Sequence, residues 1–121
     1  MLTDQRHLLG QRGEEAAERY LSDLGYAILE RNWRHGHWEI DLIARDGDWL
    51  VFVEVKTRSS RFRLEDALGP LKQRALVEAA EVYADQICFE GHIRFDLIAL
   101  VAGPKEELLH LPHAFLPEPG F

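Results

Sequence analysis

The sequence predicts an α/β fold: a single mixed β-sheet flanked by helices, in the order helix, three strands, helix, strand. Three observations predict it. Two long segments carry apolar residues at helical spacing, shorter ones are alternating or β-branched, and an Asp-Gly pair between two of these marks a hairpin. With 121 residues there is room for one core, so a single domain over 1–121 is expected. An irregular, Pro-containing tail is expected from about residue 103.

The first helix is expected from Thr3 to Leu24, with Leu9, Ala16, Ala17, Tyr20, Leu21 and Leu24 on its packed face. Gly10 and Gly13 weaken its start, so the continuous helix could begin only near Gly13. Gly25 suits a left-handed cap. Tyr26–Leu29 reads as a short strand, followed by a polar stretch and a loop through Gly36. From His37 to Arg45, Trp38, Ile40, Leu42 and Ala44 fall on one side, and Glu39 and Asp41 on the other. Asp46-Gly47 then turns the chain into Trp49–Lys56, whose β-branched and aromatic residues suit a central strand. Thr57–Arg63 is a basic loop, and Glu65–Leu68 a helical turn. Pro70 fits the first position of a long helix with Leu71, Ala75, Leu76, Ala79, Tyr83 and Ile87 on its apolar face. Ile93–Val101 is the next strand, and a short one near Leu108–Leu111 interrupts the tail.

A composition of 46% hydrophobic and 29% charged residues is that of a folded globular chain. No apolar run is long enough for a membrane span, and the N-terminus lacks the apolar centre of a secretory signal, so a cytoplasmic location and no membrane partner are expected. The lone Cys88 excludes an intramolecular disulfide and is expected to be a buried thiol. Net charge is −7, which argues against bulk electrostatic coating of nucleic acid. Yet residues 31–63 hold seven Arg or Lys against five Asp or Glu, and the remainder seven against sixteen. A basic segment on an acidic body can offer a local phosphate-binding face, or simply a solvated loop.

The candidate chemistry lies on the hairpin. Phosphodiester hydrolysis needs a metal ion to stabilise the developing charge and a positioned water to attack. Carboxylates suit Mg²⁺ or Mn²⁺, and a nearby lysine can orient the water. The chain offers Asp41 on one strand and Glu54-Val55-Lys56 on the next. If Asp46-Gly47 is the two-residue loop, Arg45 faces Asp48, Glu39 faces Glu54 and Asp41 faces Phe52. Glu39, Asp41, Glu54 and Lys56 then share a face, with Asp41 diagonal to Glu54. A one-residue slip would separate them. The bland alternative is a solvated sheet face, on which Lys56 merely compensates the repelling carboxylates.

Glu14, near the start of the first helix, could be only a carboxylate at the positive helix end. Arg31, Arg34, Arg58, Arg61 and Arg63, with Lys72 on the long helix, are candidates for phosphate contact, although exposed arginines commonly only solvate. His35 and His37 flank Gly36 beside the acidic face, a weak metal or phosphate signal. Trp33, Trp38 and Trp49 could stack on bases but more often pack. Asp96 has no evident partner.

These segments resemble the bacterial YraN-like family, an uncharacterised group with a restriction-endonuclease-like fold. The resemblance rests on Gly13-Glu14, Ala17, Tyr20-Leu21 and Gly25-Tyr26; on Arg31-Asn32-Trp33-Arg34; on Glu39-Ile40-Asp41-Leu42-Ile43; and on Val51 through Arg58. Lys72, Ala79-Ala80, Tyr83, Arg94-Phe95-Asp96 and His113-Ala114-Phe115 extend it over nearly the whole chain. Trp38 stands where the family usually has Gly, and a family Gly is absent from Phe62-Arg63-Leu64. In its Glu, Asp, Glu-Xaa-Lys order the chain is also similar, more distantly, to the archaeal Holliday-junction resolvases.

The resemblance implies an α-β-β-β-α-β core in which Asp41 and Glu54 hold Mg²⁺ or Mn²⁺, Glu14 assists through a water and Lys56 serves the nucleophile. It implies an endonuclease acting on DNA, on branched or structured substrates, and by the resolvase comparison a homodimer. Two other readings stay open. One is a nucleic-acid-binding module that does not cut and works with a partner in repair, recombination or uptake. The other is an interaction scaffold built on the tail.

Overall fold

The computed structural model describes residues 5–58, 63, 67–102 and 105–117, with side chains from residue 12 onward. Its elements are α1 (Gln5–Asp23), β1 (Ala27–His35), β2 (Trp38–Asp46), β3 (Trp49–Arg58), α2 (Pro70–Gln86), β4 (His92–Val101) and β5 (Glu107–Leu111). One mixed sheet in the order β1-β2-β3-β4-β5 holds them together. β1, β2 and β3 form an antiparallel meander. β3 and β4 run parallel, which demands a crossover, and α2 supplies it. This is the predicted restriction-endonuclease-like α/β fold, with β5 added antiparallel beside β4.

Each face of the sheet has its own helix. Ala17 and Leu21 of α1 pack on Leu42, Val51, Val53, Ile98 and Leu100. Leu76, Ala80 and Tyr83 of α2 pack on Ile40, Ile43, Phe52, Phe95 and Leu97. Coverage on both faces explains why β3 and β4 are almost continuously apolar. Gly25 caps α1 with φ 95°, and Tyr26 N–H donates to Leu21 O at 3.0 Å, closing a Schellman-type end.

α1 runs without a break through Gly13. The reason is steric: a methyl group there would overlap Thr57 Oγ1 and press on Leu100 Cδ1 at 3.3 Å. The helix backbone thus lies directly on β3. Gly13→Ala is expected to lower stability by about 1 kcal/mol, because an overpacking cost of about 1–3 kcal/mol outweighs a helix-propensity gain of about 1 kcal/mol. Adding Thr57→Ala should recover most of the loss in urea denaturation. A Gly13→Ala protein more stable than wild type would contradict this packing.

Several expected boundaries differ. β1 continues to His35 where a loop was expected, because its polar residues pair with β2 along a sheet edge, from Ala27↔Arg45 to His35↔Trp38. A bulge at Leu29 and a left-handed Asn32 (φ 48°) accommodate the irregular pattern. Leu71 (82% exposed) and Ile87 (44% exposed) leave the expected apolar face of α2, one at its first turn and the other at its C-cap. Cys88 is exposed, not buried: it lies past that cap, in a left-handed turn with φ 54°. Glu65 and Asp66, half of the expected Glu65–Leu68 turn, lie outside the described residues, as does Arg61.

Candidate functional site

The β2–β3 turn sets the site's register. Asp46 pairs with Trp49, so the loop is Gly47-Asp48 and not Asp46-Gly47. Gly47, with φ 58°, takes the first loop position, where a II′-type hairpin turn wants a positive φ. The pairing is therefore shifted by two residues from the expected one. An even shift preserves which side chains share a face. Continued past its last pair, Leu42↔Val53, it sets Asp41 directly against Glu54 instead of Phe52.

At this point the two strands part. Val55 N–H donates to Asp41 Oδ2 at 2.8 Å, so a side-chain carboxylate serves an amide of β3. The alternation of β2 breaks at the same residue. Ile40, with Trp38 against it, joins Ile43 in the α2-side core, whereas Leu42 lies in the α1-side core. The expected single face of Trp38, Ile40, Leu42 and Ala44 is thus split, because Asp41 reaches sideways into the gap between strands. The gap opens Asp41 to both layers of the molecule.

From the α2 side comes Glu54, only 5% exposed. Lys56 Nζ lies 3.2 Å and Lys72 Nζ 3.6 Å from Glu54 Oε1. Glu14 of α1 lies near enough for its charge to act on Asp41. Burial first, then the charge of Glu54 and, more weakly, that of Glu14 push the Asp41 carboxyl up to about 7, against the Val55 hydrogen bond and Lys72. Glu14, Asp41, Glu54 and Lys56, far apart in sequence, are thus one electrostatic cluster, and Lys72 joins it. A carboxyl that takes up a proton near neutrality, beside a second carboxylate and two ammonium groups, can accept a proton or a cation.

The other singled-out residues are more dispersed. Arg31 faces α1, where both carboxylate oxygens of Glu18 accept its hydrogen bonds, one from Nε at 2.7 Å. Arg34 pairs with Glu39 at 3.4 Å on the surface of the β1–β2 hairpin, so Glu39 stands outside the cluster. Arg58 is exposed at the end of β3, and its guanidinium donates to Thr57 O at 2.9 Å. His35 is stacked between ring neighbours Trp33 and Trp38. Trp49 packs near His92, His113 and the Arg94 guanidinium.

Asp96 proves to be the most heavily bonded side chain in the described residues. Its Oδ1 accepts from Arg94 Nε (2.8 Å) and His113 N–H (3.2 Å), and its Oδ2 from Arg94 Nη2 (3.0 Å) and His110 Nε2 (2.8 Å). Arg94 also donates to Tyr26 Oη at 2.6 Å, and Tyr20 Oη meets His110 Nδ1 at 3.0 Å. Burial pushes the Tyr20 hydroxyl above its ordinary range. This network ties β5 and the end of α1 to β4. The sequence signal for it was two charges at i and i+2 inside an apolar strand, which must share a face and so can only be buried as a pair.

The element order and the single mixed sheet with a helix on each face give the chain the restriction-endonuclease-like class of α/β fold. Residues 13–100 match the family described as Uncharacterised protein family UPF0102, and the chain belongs to that family, the YraN-like group. A UPF0102 protein of Bacteroides fragilis is 40% identical over 116 residues, covering 93% of this chain and 96% of its own length. One from Anaeromyxobacter dehalogenans is 43% identical over 116 residues (93% and 87% covered), and one from Rhodococcus jostii 42% over 112 (88% and 95%). Among the described residues, no helix is long and apolar enough to cross a membrane.

Proposed function

We propose that the chain is a divalent-metal-dependent endonuclease that hydrolyses DNA phosphodiester bonds, with branched or structured DNA as its substrate. The observation that carries this reading is the Asp41 carboxylate held between two strands, opposite Glu54, which Lys56 and Lys72 flank. Two repelling carboxylates of hard oxygen donors fit Mg²⁺ or Mn²⁺, which bind through one or two carboxylates and keep several waters. Among the described residues no three His, Cys, Asp or Glu groups stand together at metal-binding spacing, so Glu14 would act at longer range, through a water. A bound ion would polarise the phosphoryl oxygen and acidify a water. Lys56, held at Glu54, orients the attacking water and balances the charge that develops as it adds. Lys72 brings a second ammonium to the same face, where a phosphate would displace it from Glu54.

One observation favours a second reading, a DNA-binding module without cleavage. Lys56 and Lys72 already compensate Glu54 with no metal ion required. Titration of Mg²⁺ and Mn²⁺ into wild type, followed by incubation with single-stranded, duplex and four-way-junction DNA, separates the two. Saturable metal binding with cleavage is the expected result. DNA binding with neither metal binding nor cleavage would leave the module. A symmetric cut at a junction would require a homodimer, which sedimentation of the protein–DNA complex would detect.

A further inference from the structure

The sheet ends in two unlike edges. On one side β1 is blunted: it carries the bulge at Leu29, the left-handed Asn32 (φ 48°) and the charges of Glu30, Arg31 and Arg34. Such features keep a strand edge from pairing with another chain. On the other side β5 has none of them. Glu107–Leu111 contains no glycine, no proline and no positive φ, pairs with β4 without a register break, and carries one carboxylate, at its first residue. Among the described residues no strand lies beyond it. Its side chains divide between the two faces of the sheet. Leu108 packs on the α1-side core and His110 meets Tyr20 of α1, so Glu107, Leu109 and Leu111 point to the α2 side. Leu109 is half-buried and Leu111 is 37% exposed.

A regular edge of this composition is complementary to itself. We propose that the chain forms a homodimer by antiparallel pairing of β5 with the β5 of a second copy, joining the two sheets into one. Full overlap of the five residues sets Leu109 on the two-fold axis, against the partner's Leu109, and sets Glu107 against the partner's Leu111 at either end. Leucines meet at the centre, and the two Glu107 carboxylates are kept apart. The pairing uses both β5 edges and leaves only the blunted β1 edges outermost, so association closes at two copies. The axis stands perpendicular to the sheet, so Glu54 of each copy opens on the same face. Glu54 pairs with Leu97, and Leu97 with Leu111. The two Glu54 rows therefore lie five strand spacings apart, about 24 Å. Two sites on one surface suit the two cuts of a two-fold symmetric junction. That last step rests on the endonuclease reading; the interface does not.

Sedimentation equilibrium of the full chain, free of metal and DNA, should show a concentration-dependent dimer. Leu111→Glu sets a carboxylate against Glu107 at both ends of the interface and should weaken dimerisation at least about tenfold. Leu111→Lys meets the same Glu107 with the opposite charge and should weaken it far less. Circular dichroism should show both variants folded. In a Cys88→Ser background, oxidation should cross-link Leu109→Cys to its own copy, because opposed Cα atoms on the axis lie about 4.5–5.5 Å apart. Leu111→Cys, about 14 Å from its own copy, should stay unlinked. A monomer at every concentration would leave β5 to a strand of some other protein and overturn the proposal. A dimer weakened alike by Leu111→Glu and Leu111→Lys, or cross-linked as readily at 111 as at 109, would overturn it too. Incubation with Mg²⁺ and a four-way junction separates the two readings. A dimer that Leu111→Glu dissociates but that never cuts would remove the endonuclease and keep the interface; paired cutting by a protein that stays monomeric would do the reverse.

Discussion

Asp96→Ala is expected to cost about 3–5 kcal/mol of stability, enough to leave much of the protein unfolded. Asp96 is 1% exposed and Arg94 8%, so truncation leaves a buried guanidinium that cannot shed its charge with only Tyr26 Oη at 2.6 Å and a longer contact to Asp46 Oδ2 at 3.6 Å. It also removes the acceptors of His110 and of the His113 amide, releasing β5 and the turn after it. Burial would push the Asp96 carboxyl up, but hydrogen bonds from His110 and Arg94, the Arg94 charge and the His113 amide together hold it below its ordinary value. The folded state therefore binds this proton less readily than the unfolded chain. The resulting stability is present above the unfolded carboxyl pKa and is lost as pH falls through the lower, folded one. Urea denaturation from neutral to acid pH should show wild type weakening while Asp96→Asn, weaker at neutral pH, changes less. The paired replacement Arg94→Met with Asp96→Leu should cost less than Asp96→Ala alone, since it leaves no charge behind. A single variant as stable as wild type would show that the network holds nothing together.

Asp41→Asn should do the opposite to stability while abolishing cleavage. With its carboxyl raised to about 7, Asp41 favours folding only while protonated. That contribution is complete below the unfolded value, near 4, and is lost as pH rises through about 7. Above neutrality, metal-free wild type carries the full cost of an ionised carboxylate beside Glu54. Asn keeps an oxygen for the Val55 amide and carries no charge, so in EDTA at pH 8 the variant should be more stable by on the order of 4 kcal/mol. At pH 4 the two proteins should melt alike. Adding Mg²⁺ or Mn²⁺ should raise the melting temperature of wild type but not of the variant, because only a ligand of the native state stabilises it. Lys56→Ala should also lose cleavage, by about 10²–10⁴-fold, with the fold intact. If instead Asp41→Asn unfolds the protein at every pH, the carboxylate belongs to the scaffold and the proposed site falls.

Much of the architecture was legible because local patterns and tertiary demands agree. The helical face of α1, the Asp-Gly hairpin, Pro70 opening α2 and the apolar β4 each satisfy both. What escaped has physical causes. β1 reads as loop beyond Leu29 because Arg31, Asn32 and Arg34 are polar, yet an edge strand needs only backbone pairing and one partly covered face. The hairpin register moved by two because glycine, not aspartate, occupies the first loop position. The broken alternation at Asp41 is invisible to a periodicity argument, which assumes regular pleating through the residue that departs from it. Even so, Asp41, Glu54 and Lys56 were recognisable, since parity survives an even shift. The Asp96 network was not, because Tyr20, Tyr26 and His110 approach it from α1, the α1–β1 connection and β5.

Gly13 gives the site an unusual kind of control. It bears no functional group and donates nothing to a substrate, yet the missing methyl sets how closely α1 settles on β3. Glu14 is the next residue, so its separation from Asp41 is governed by the thickness of one carbon atom. The small share of the Asp41 shift that comes from Glu14 is in that sense a mechanical property of the helix–sheet contact. Widening the contact would weaken the repulsion from Glu14 and tune the affinity for protons or cations from a position that touches neither.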